Sequence, residues 1–180
     1  MRKLFVVCGV VAFILAAGQP AAAQGEHSWR LRAAVVNEQI SEDVSNIDFH
    51  LTGFAVRVSR QLYGPLAVAG EYGATFGDPF DLDTNNQWIV GGLQVYPYAG
   101  EYVEVYFQGL GGWDRVKVGE GPGSSDSGGT VVVGGGVNIY FHQNVGLNFE
   151  ANYKSMWTFD TRQDVGQFRG GIVFRWGGSY

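Results

Sequence analysis

Three histidines follow the apolar N-terminal segment, and a histidine beside a serine and an acid is the usual machinery of a hydrolase. His27 precedes the first predicted strand and His142 lies in a short turn, so both belong to the end away from the long loops. His50, with Ser155 as its serine, is the one candidate pair. The strand pattern places Ser155 on an apolar face, and no His-x-Ser sequence occurs. We therefore predict no catalytic residues.

A run of acidic and amide side chains is the second group with possible chemistry. Its Asp-x-Asp-x-Asn order resembles the start of a calcium-binding loop. The glycine that such a loop needs at its sixth position is an asparagine, and the glutamate of the twelfth position is a glycine. Residues of this type are also frequent in turns. We predict no resident metal and no cofactor, and we keep one possible loop cation site, formed by Asp78, Asp81, Asp83 and Asn85.

The composition limits the class of protein that carries these groups. The 180 residues are 46% apolar, 14% aromatic and 16% charged, which excludes a disordered chain. Arg2 and Lys3 precede an apolar segment from Leu4 to Ala17, which is shorter than the roughly 20 residues of a membrane-spanning helix. With small residues ending at Ala23, this pattern is typical of a secretory signal peptide. We predict a signal peptide over residues 1–23 and one domain over residues 24–180.

Cleavage after residue 23 would change both the thiol content and the charge of the chain. It would remove Cys8, the single cysteine, so disulfides and thiol chemistry are excluded. It would also remove two of the 12 basic side chains, leaving ten against 17 acidic ones and a formal net charge of −7. Nucleic acid is therefore not an expected partner.

Apolar residues alternate with polar ones along most of the remaining chain, as they do in β-strands. In the clearest segment, Val145–Trp157, valine, leucine, phenylalanine, tyrosine and tryptophan occupy one face, and asparagine, glutamate and lysine occupy the other. Eight segments of this kind predict an all-β protein. They are Trp29–Asn37, Asp48–Arg60, Leu66–Phe76, Gln87–Tyr96, Glu101–Asp114, Thr130–Phe141, Val145–Trp157 and Val165–Trp176.

Connections between these strands alternate in predicted length, as in an up-and-down barrel. The short ones are Gln61–Pro65, Pro97–Gly100 and His142–Asn144. The long, polar ones are Glu38–Ile47, Gly77–Asn86, Arg115–Gly129 and Thr158–Asp164. The Gly119–Gly129 part has no apolar residue that could anchor it, so it is predicted to form a mobile loop tip.

The polar strand faces carry too few charges to face water. They fit a narrow packed interior, whereas the apolar faces, with aromatic residues near their ends, fit hydrocarbon. We therefore predict an eight-stranded antiparallel up-and-down transmembrane β-barrel. Buried charges must be paired, so the inward residues are predicted to form an ion-pair network. Its members are Glu71, Glu104, Glu150, Lys154, Arg169 and Arg175, joined with weaker support by Arg30, Arg32 and Arg57.

The last predicted strand ends in a polar residue, a glycine two positions later, and then a hydrophobic and an aromatic residue two apart. This order, in Arg169, Gly171, Phe174 and Trp176, resembles the C-terminal insertion signal of bacterial outer-membrane barrels. In the family the chain commonly ends on the aromatic residue itself, whereas here four residues follow Trp176. With the signal peptide and the strands, residues 29–176 resemble a small OmpA/OmpX-type outer-membrane barrel of the family that includes opacity-type surface proteins.

This resemblance implies a bacterial outer-membrane protein that is inserted by the barrel-assembly machinery and contacts lipid and lipopolysaccharide. The function expected is structural or surface-interacting, as a monomer, with a filled lumen and loops that contact a possible surface ligand. A small channel gated by the lumenal ion pairs is the first alternative, and a lipid A-modifying enzyme is the second. Loop acids would form an acidic outer rim that recruits divalent cations or a basic partner. They are Glu38, Glu42, Asp43, Asp78, Asp81, Asp83, Asp126, Asp160 and Asp164.

Overall fold

A computed structural model of the chain describes residues 28–42, 47–77, 83–119, 125–158 and 161–177. These residues form eight β-strands. The strands are β1 (Trp29–Glu42), β2 (Ile47–Tyr63), β3 (Leu66–Gly77), β4 (Thr84–Ala99), β5 (Val103–Val118), β6 (Ser125–His142), β7 (Val145–Thr158) and β8 (Thr161–Trp176). In the described part of the chain, no helix is long and apolar enough to cross a membrane.

Each strand pairs antiparallel with the next, and β8 pairs with β1, so the sheet is a closed barrel. The predicted fold class is thereby confirmed. Closure leaves no unpaired sheet edge, which a lipid environment requires because it offers no partner to backbone N–H and C=O groups.

The register fixes the slope of the strands. When cross-strand partners are followed from Arg30 through all eight strands, they lead back to β1 at Ile40. The register is therefore displaced by ten residues around the barrel. With about 3.3 Å between residues and about 4.8 Å between strands, this displacement corresponds to a tilt of about 40°. One residue then advances about 2.5 Å along the barrel axis.

The two ends of the barrel differ. At one end, called the inner end because both barrel termini lie there, every connection has two or three residues, as in Gly64–Pro65 and Gln143–Asn144, whereas connections at the other end have two to six. Gly64 has a φ of 50°, a conformation that favours glycine in a tight turn. The predicted short connections overlap these turns, but β2 continues to Tyr63 and β4 to Ala99, so the connection between β4 and β5 is Gly100–Tyr102 and not Pro97–Gly100.

The outer ends of the strands differ from the prediction. β1 continues to Glu42, β4 begins at Thr84, β5 continues to Val118 and β6 begins at Ser125, so part of each predicted long loop is strand. The predicted mobile tip is wrong over Ser125–Gly129, which pairs with β5. Ladder hydrogen bonds extend the sheet wherever both strands reach beyond the membrane, and water solvates polar side chains there without ending the pairing.

Side chains alternate between the lumen and the outer wall. Outward residues include Phe149, Phe168 and Ile89, which are 50%, 60% and 64% exposed. Large apolar side chains are exposed on all eight strands, and a lipid environment covers such a continuous apolar wall. The described interior is instead filled by polar side chains and small apolar clusters.

Candidate functional site

Charged side chains fill much of the lumen. Among the described residues, eleven of them point inward, and each residue is at most 6% exposed. β5 shows how they are layered, because its inward residues run from the inner end as Glu104, Tyr106, Gln108, Leu110, Asp114 and Val116. The lumen therefore has three charged tiers, with an apolar layer below the outermost tier and another above it.

The inner tier consists of Arg30, Glu104 and Arg175. Arg30 donates from Nη2 to Glu104 Oε1 at 2.9 Å and from Nε to Oε2 at 3.0 Å. Arg175 Nη1 lies 3.2 Å from the same Oε1. Tyr140 and Asn138 donate to Oε2 at 2.9 and 2.8 Å. One carboxylate thus neutralises part of the charge of two guanidinium groups.

Arg175 also closes the inner end of the lumen. Its Nη2 donates to the backbone carbonyls of Gln143 and Glu101 at 3.0 and 3.2 Å, which tie β8 to two turns. Its guanidinium lies 4.0 Å from the centroid of the Tyr140 ring. The side chain therefore fills the inner mouth and holds two turns against it.

Arg32 lies next above the inner tier and is held differently. It donates to Asn138 Oδ1 and Gln94 Oε1, both at 3.3 Å. Its guanidinium stacks 4.3 Å from the centroid of the Tyr106 ring. Its described hydrogen-bond partners are neutral, so ring and amide dipoles stabilise this charge.

The middle tier consists of Arg57, Glu71, Glu150 and Arg169. Arg57 donates to both carboxylates, from Nε to Glu71 at 2.7 Å and from Nη1 to Glu150 at 2.6 Å. Arg169 Nη1 lies 2.7 Å from Glu71 and 3.1 Å from Glu150. Two cations and two anions therefore form a closed, neutral ring that joins β2, β3, β7 and β8.

An apolar layer lies between the middle tier and the next charges. Its members are Val36, Ala55, Ala69, Trp88, Val90, Leu110 and Val132. Trp88 crosses the layer, because its Nε1 donates to Glu71 at 2.7 Å while Lys154 Nζ lies 4.3 Å from its ring centroid. Gly73 is required beside it, since a Cβ there would lie 2.2 Å from the indole ring.

The outer tier consists of Glu38, Asp114 and Lys154. Lys154 Nζ lies 2.6 Å from Asp114 Oδ2 and 3.4 Å from Glu38 Oε1. Thr75 donates to Glu38 at 2.6 Å, whereas Asp114 Oδ1 is buried without a described hydrogen-bond partner. Val116, Met156 and Val165 form the second apolar layer, above this tier. The tier carries one cation against two anions.

All residues predicted for the network lie in the lumen. Glu71, Glu150 and Arg169 meet in the middle tier, Glu104 and Arg175 in the inner tier, and Lys154 in the outer tier. Arg30, Arg32 and Arg57 also point inward. The six predicted residues therefore do not form one cluster but belong to three.

The sequence prediction missed two members of the outer tier. Glu38 was assigned to the acidic rim, which is wrong, because it lies in β1 and is fully buried. Because β1 extends to Glu42, the alternation that points Val36 inward continues to Glu38. Asp114 was placed in a strand without a role, although it follows Glu104 and Gln108 on the same strand face.

The other predicted sites are placed as follows. His50 and Ser155 are not brought together, because His50 is exposed on β2 whereas Ser155 is buried on β7, where its Oγ accepts a hydrogen bond from Arg162 Nε at 3.0 Å. Asp83 is exposed and Asn85 lies in β4, whereas Asp78 and Asp81 lie outside the described residues. Among the described side chains, no group of three or more His, Cys, Asp or Glu residues is placed to hold a metal. A loop cation site stays a prediction.

The residues of the predicted insertion signal all lie in β8, which closes the barrel on β1. Arg169 points inward to the middle tier, whereas Phe174 and Trp176 are outward and each 42% exposed. Trp176 pairs with Trp29, so two tryptophans lie side by side at the inner lipid boundary.

Comparisons with known proteins agree with this architecture. Ail, the attachment invasion locus protein of Yersinia pestis, has a TM-score of 0.62 at 21% identity, covering 84% of this chain and 99% of that chain. Neisserial surface protein A has a TM-score of 0.69 at 16% identity, covering 83% and 99%. A major outer membrane protein of Thermus thermophilus has a TM-score of 0.53 at 12% identity, covering 83% and 99%. At these identities, the likenesses establish the fold alone.

No curated protein matches the chain in sequence. The profile of the outer membrane protein beta-barrel domain matches residues 9–175 of the 180. With the closed barrel and its apolar outer wall, this match shows that the chain belongs to the outer membrane protein beta-barrel domain family and resides in the bacterial outer membrane.

Proposed function

We propose that the protein is a monomeric scaffold with a closed lumen, which presents its outer strand extensions and loops for interactions at the cell surface. One observation carries this proposal: three tiers of buried charges and two apolar layers fill the described lumen. An eight-stranded barrel has a bore just wide enough for side chains. A filled bore leaves the outer surface as the part that contacts other molecules.

The ion pairs support a structural role for the lumen. Each tier ties together side chains from strands on different sides of the barrel, as when Arg57 of β2 contacts Glu150 of β7. Breaking a buried pair costs about 3–5 kcal/mol. A channel gated by these pairs would have to break several of them at once, which favours the scaffold over the gate.

The names of the structural neighbours support the surface role. Ail is an attachment invasion locus protein, and it has a structure in complex with sucrose octasulfate, a heparin analogue. A second neighbour is Neisserial surface protein A. By analogy, we propose that the outer hairpins of this chain contact a surface ligand.

We also propose that Arg169, Gly171, Phe174 and Trp176 of β8 guide insertion by the barrel-assembly machinery.

Conductance in planar bilayers tests the closed lumen. We expect the wild-type protein to give no sustained channel current, and Glu104→Gln and Glu150→Gln to give the same result, since both keep the side-chain volume. Glu101→Gln is the matched control, because Glu101 is an exposed acid in a turn. A gated channel would be established instead if the wild-type protein gave a sustained current, if either lumenal variant raised that current several-fold, and if Glu101→Gln left it unchanged.

Mass spectrometry of lipid A tests the enzymatic alternative. The scaffold proposal expects identical lipid A from cells with and without the protein, because His50 is exposed on β2 whereas Ser155 is buried on β7 and bonded by Arg162. A lipid A species that appears with the wild-type protein and disappears with His50→Ala would contradict it.

A further inference from the structure

The outer face of β5 ends in a short ladder of three outward residues. Trp113, Arg115 and Lys117 alternate with the inward Asp114 and Val116, so all three point away from the lumen. Trp113 is 56% exposed, and Arg115 and Lys117 are also exposed. We call these three residues the β5 ladder.

The ladder crosses the boundary between hydrocarbon and the polar outer surface. Trp113 is ten residues beyond Val103, the first residue of β5, which at this tilt is about 25 Å and equals the apolar height of an outer-membrane barrel. Arg115 and Lys117 then lie about 5 and 10 Å farther out. These two cations therefore lie at the depth of the lipid headgroups.

The cross-strand neighbours of the two cations are uncharged. Arg115 pairs with Gln87 on β4 and Ser127 on β6, and Lys117 pairs with Asn85 and Ser125. These side chains offer hydrogen bonds but no countercharge. Asp83 is a described acid in this region, because it lines a pocket together with Lys117.

Other cations of the described chain are held differently. Arg162, also outward and near the outer end, lies 3.0 Å from Asp164 in an exposed ion pair. Arg60 stacks on Trp29 at the inner end. Arg115 and Lys117 are therefore an outward pair at headgroup depth for which the described structure shows no ion-pair partner.

We propose that the β5 ladder binds the phosphate groups of lipopolysaccharide in the outer leaflet. A guanidinium matches two phosphate oxygens, an ammonium adds a point charge, and the neighbouring amides and hydroxyls donate to sugar oxygens. Trp113 packs at the boundary where the acyl chains end. The inference requires only residence in the outer membrane, so it does not depend on the proposed scaffold function.

Binding to lipopolysaccharide in detergent, followed by native mass spectrometry, tests this site. We expect Arg115→Gln with Lys117→Gln to weaken binding about tenfold or more, since each cation near an anionic lipid surface contributes about fivefold. Arg162→Gln is the matched control, because its charge is already paired. Asp83→Asn is expected to tighten binding several-fold by removing a repelling carboxylate.

Three ligand comparisons identify the group that is recognised. Dephosphorylated lipopolysaccharide should bind wild-type and double-variant proteins equally, and phosphatidylglycerol and inorganic phosphate should show a much smaller difference between them. The site is overturned if the double variant binds lipopolysaccharide like wild type, if Arg162→Gln loses as much, or if phosphatidylglycerol shows the same difference. Unchanged unfolding midpoints of the variants exclude a folding defect as the cause. Failure of the proposed surface-ligand function would produce none of these results, so the two proposals are tested separately.

Discussion

The middle and outer tiers of the lumen use the same chemistry with different charge balance. In the middle tier, two arginines face two glutamates and every carboxylate contacts both cations. In the outer tier, one lysine faces a glutamate and an aspartate, and an aspartate oxygen has no described partner. Both tiers are buried, so the contrast does not arise from exposure.

This difference indicates that burial alone does not fix the strength of an ion-pair cluster. Desolvation penalises every charge, and only complete pairing offsets it. The neutral middle ring meets this condition, whereas the outer tier retains one negative charge in excess. We infer that the middle tier holds the barrel together and that the outer tier is its weaker part. Three substitutions test this contrast.

Arg57→Met should have the largest effect. It leaves Glu71 and Glu150 buried with Arg169 as their remaining cation, so the free energy of unfolding should fall by about 3–5 kcal/mol. Urea unfolding in lipid vesicles measures it. Lys117→Met, which removes an exposed cation, serves as control and should change stability by less than about 0.5 kcal/mol. A loss below about 1 kcal/mol for Arg57→Met would show that the middle tier is not the stronger one.

Trp88→Phe should have an intermediate effect, because this residue contacts both tiers. It keeps an aromatic ring in the apolar layer but loses the indole hydrogen bond to Glu71, at a cost of about 1–3 kcal/mol. The same unfolding experiment measures it, with the outward Trp113→Phe as control. Equal losses for the two tryptophans would mean that ring size, and not the hydrogen bond, accounts for the change.

Asp114→Asn should have the smallest effect and the opposite sign. It removes the excess negative charge of the outer tier, so stability should stay the same or rise by up to about 1 kcal/mol. Glu71→Gln, the matching loss of a carboxylate in the middle tier, should instead cost several kcal/mol. Destabilisation of more than about 2 kcal/mol by Asp114→Asn would show that both tiers need every charge.

Much of the fold followed from alternation, because a two-residue period separates a lipid-facing from a lumenal face at each position. It identified the eight strands and the inward direction of residues such as Glu104 and Glu150. Alternation did not locate the outer ends of the strands, since polar residues on both faces look alike in a loop and in a strand that extends into water. Glu38 was misplaced for this reason.

The sequence also could not predict which lumenal side chains form ion pairs with one another. Arg57 and Glu150 are 93 residues apart, and their contact depends on the ten-residue displacement that sets which inward residues share a height. A change of register would pair different charges while keeping the same alternation.

The amino-acid order by itself determined a membrane barrel with a polar, charged interior, because side-chain period and the need to pair every backbone group in lipid leave few other solutions. Only the tertiary structure decided which charges neutralise one another and which remain in excess. Closure of the barrel with a ten-residue displacement brings residues from distant strands to the same level of a narrow bore. There, separations of a few ångströms determine which charges are paired.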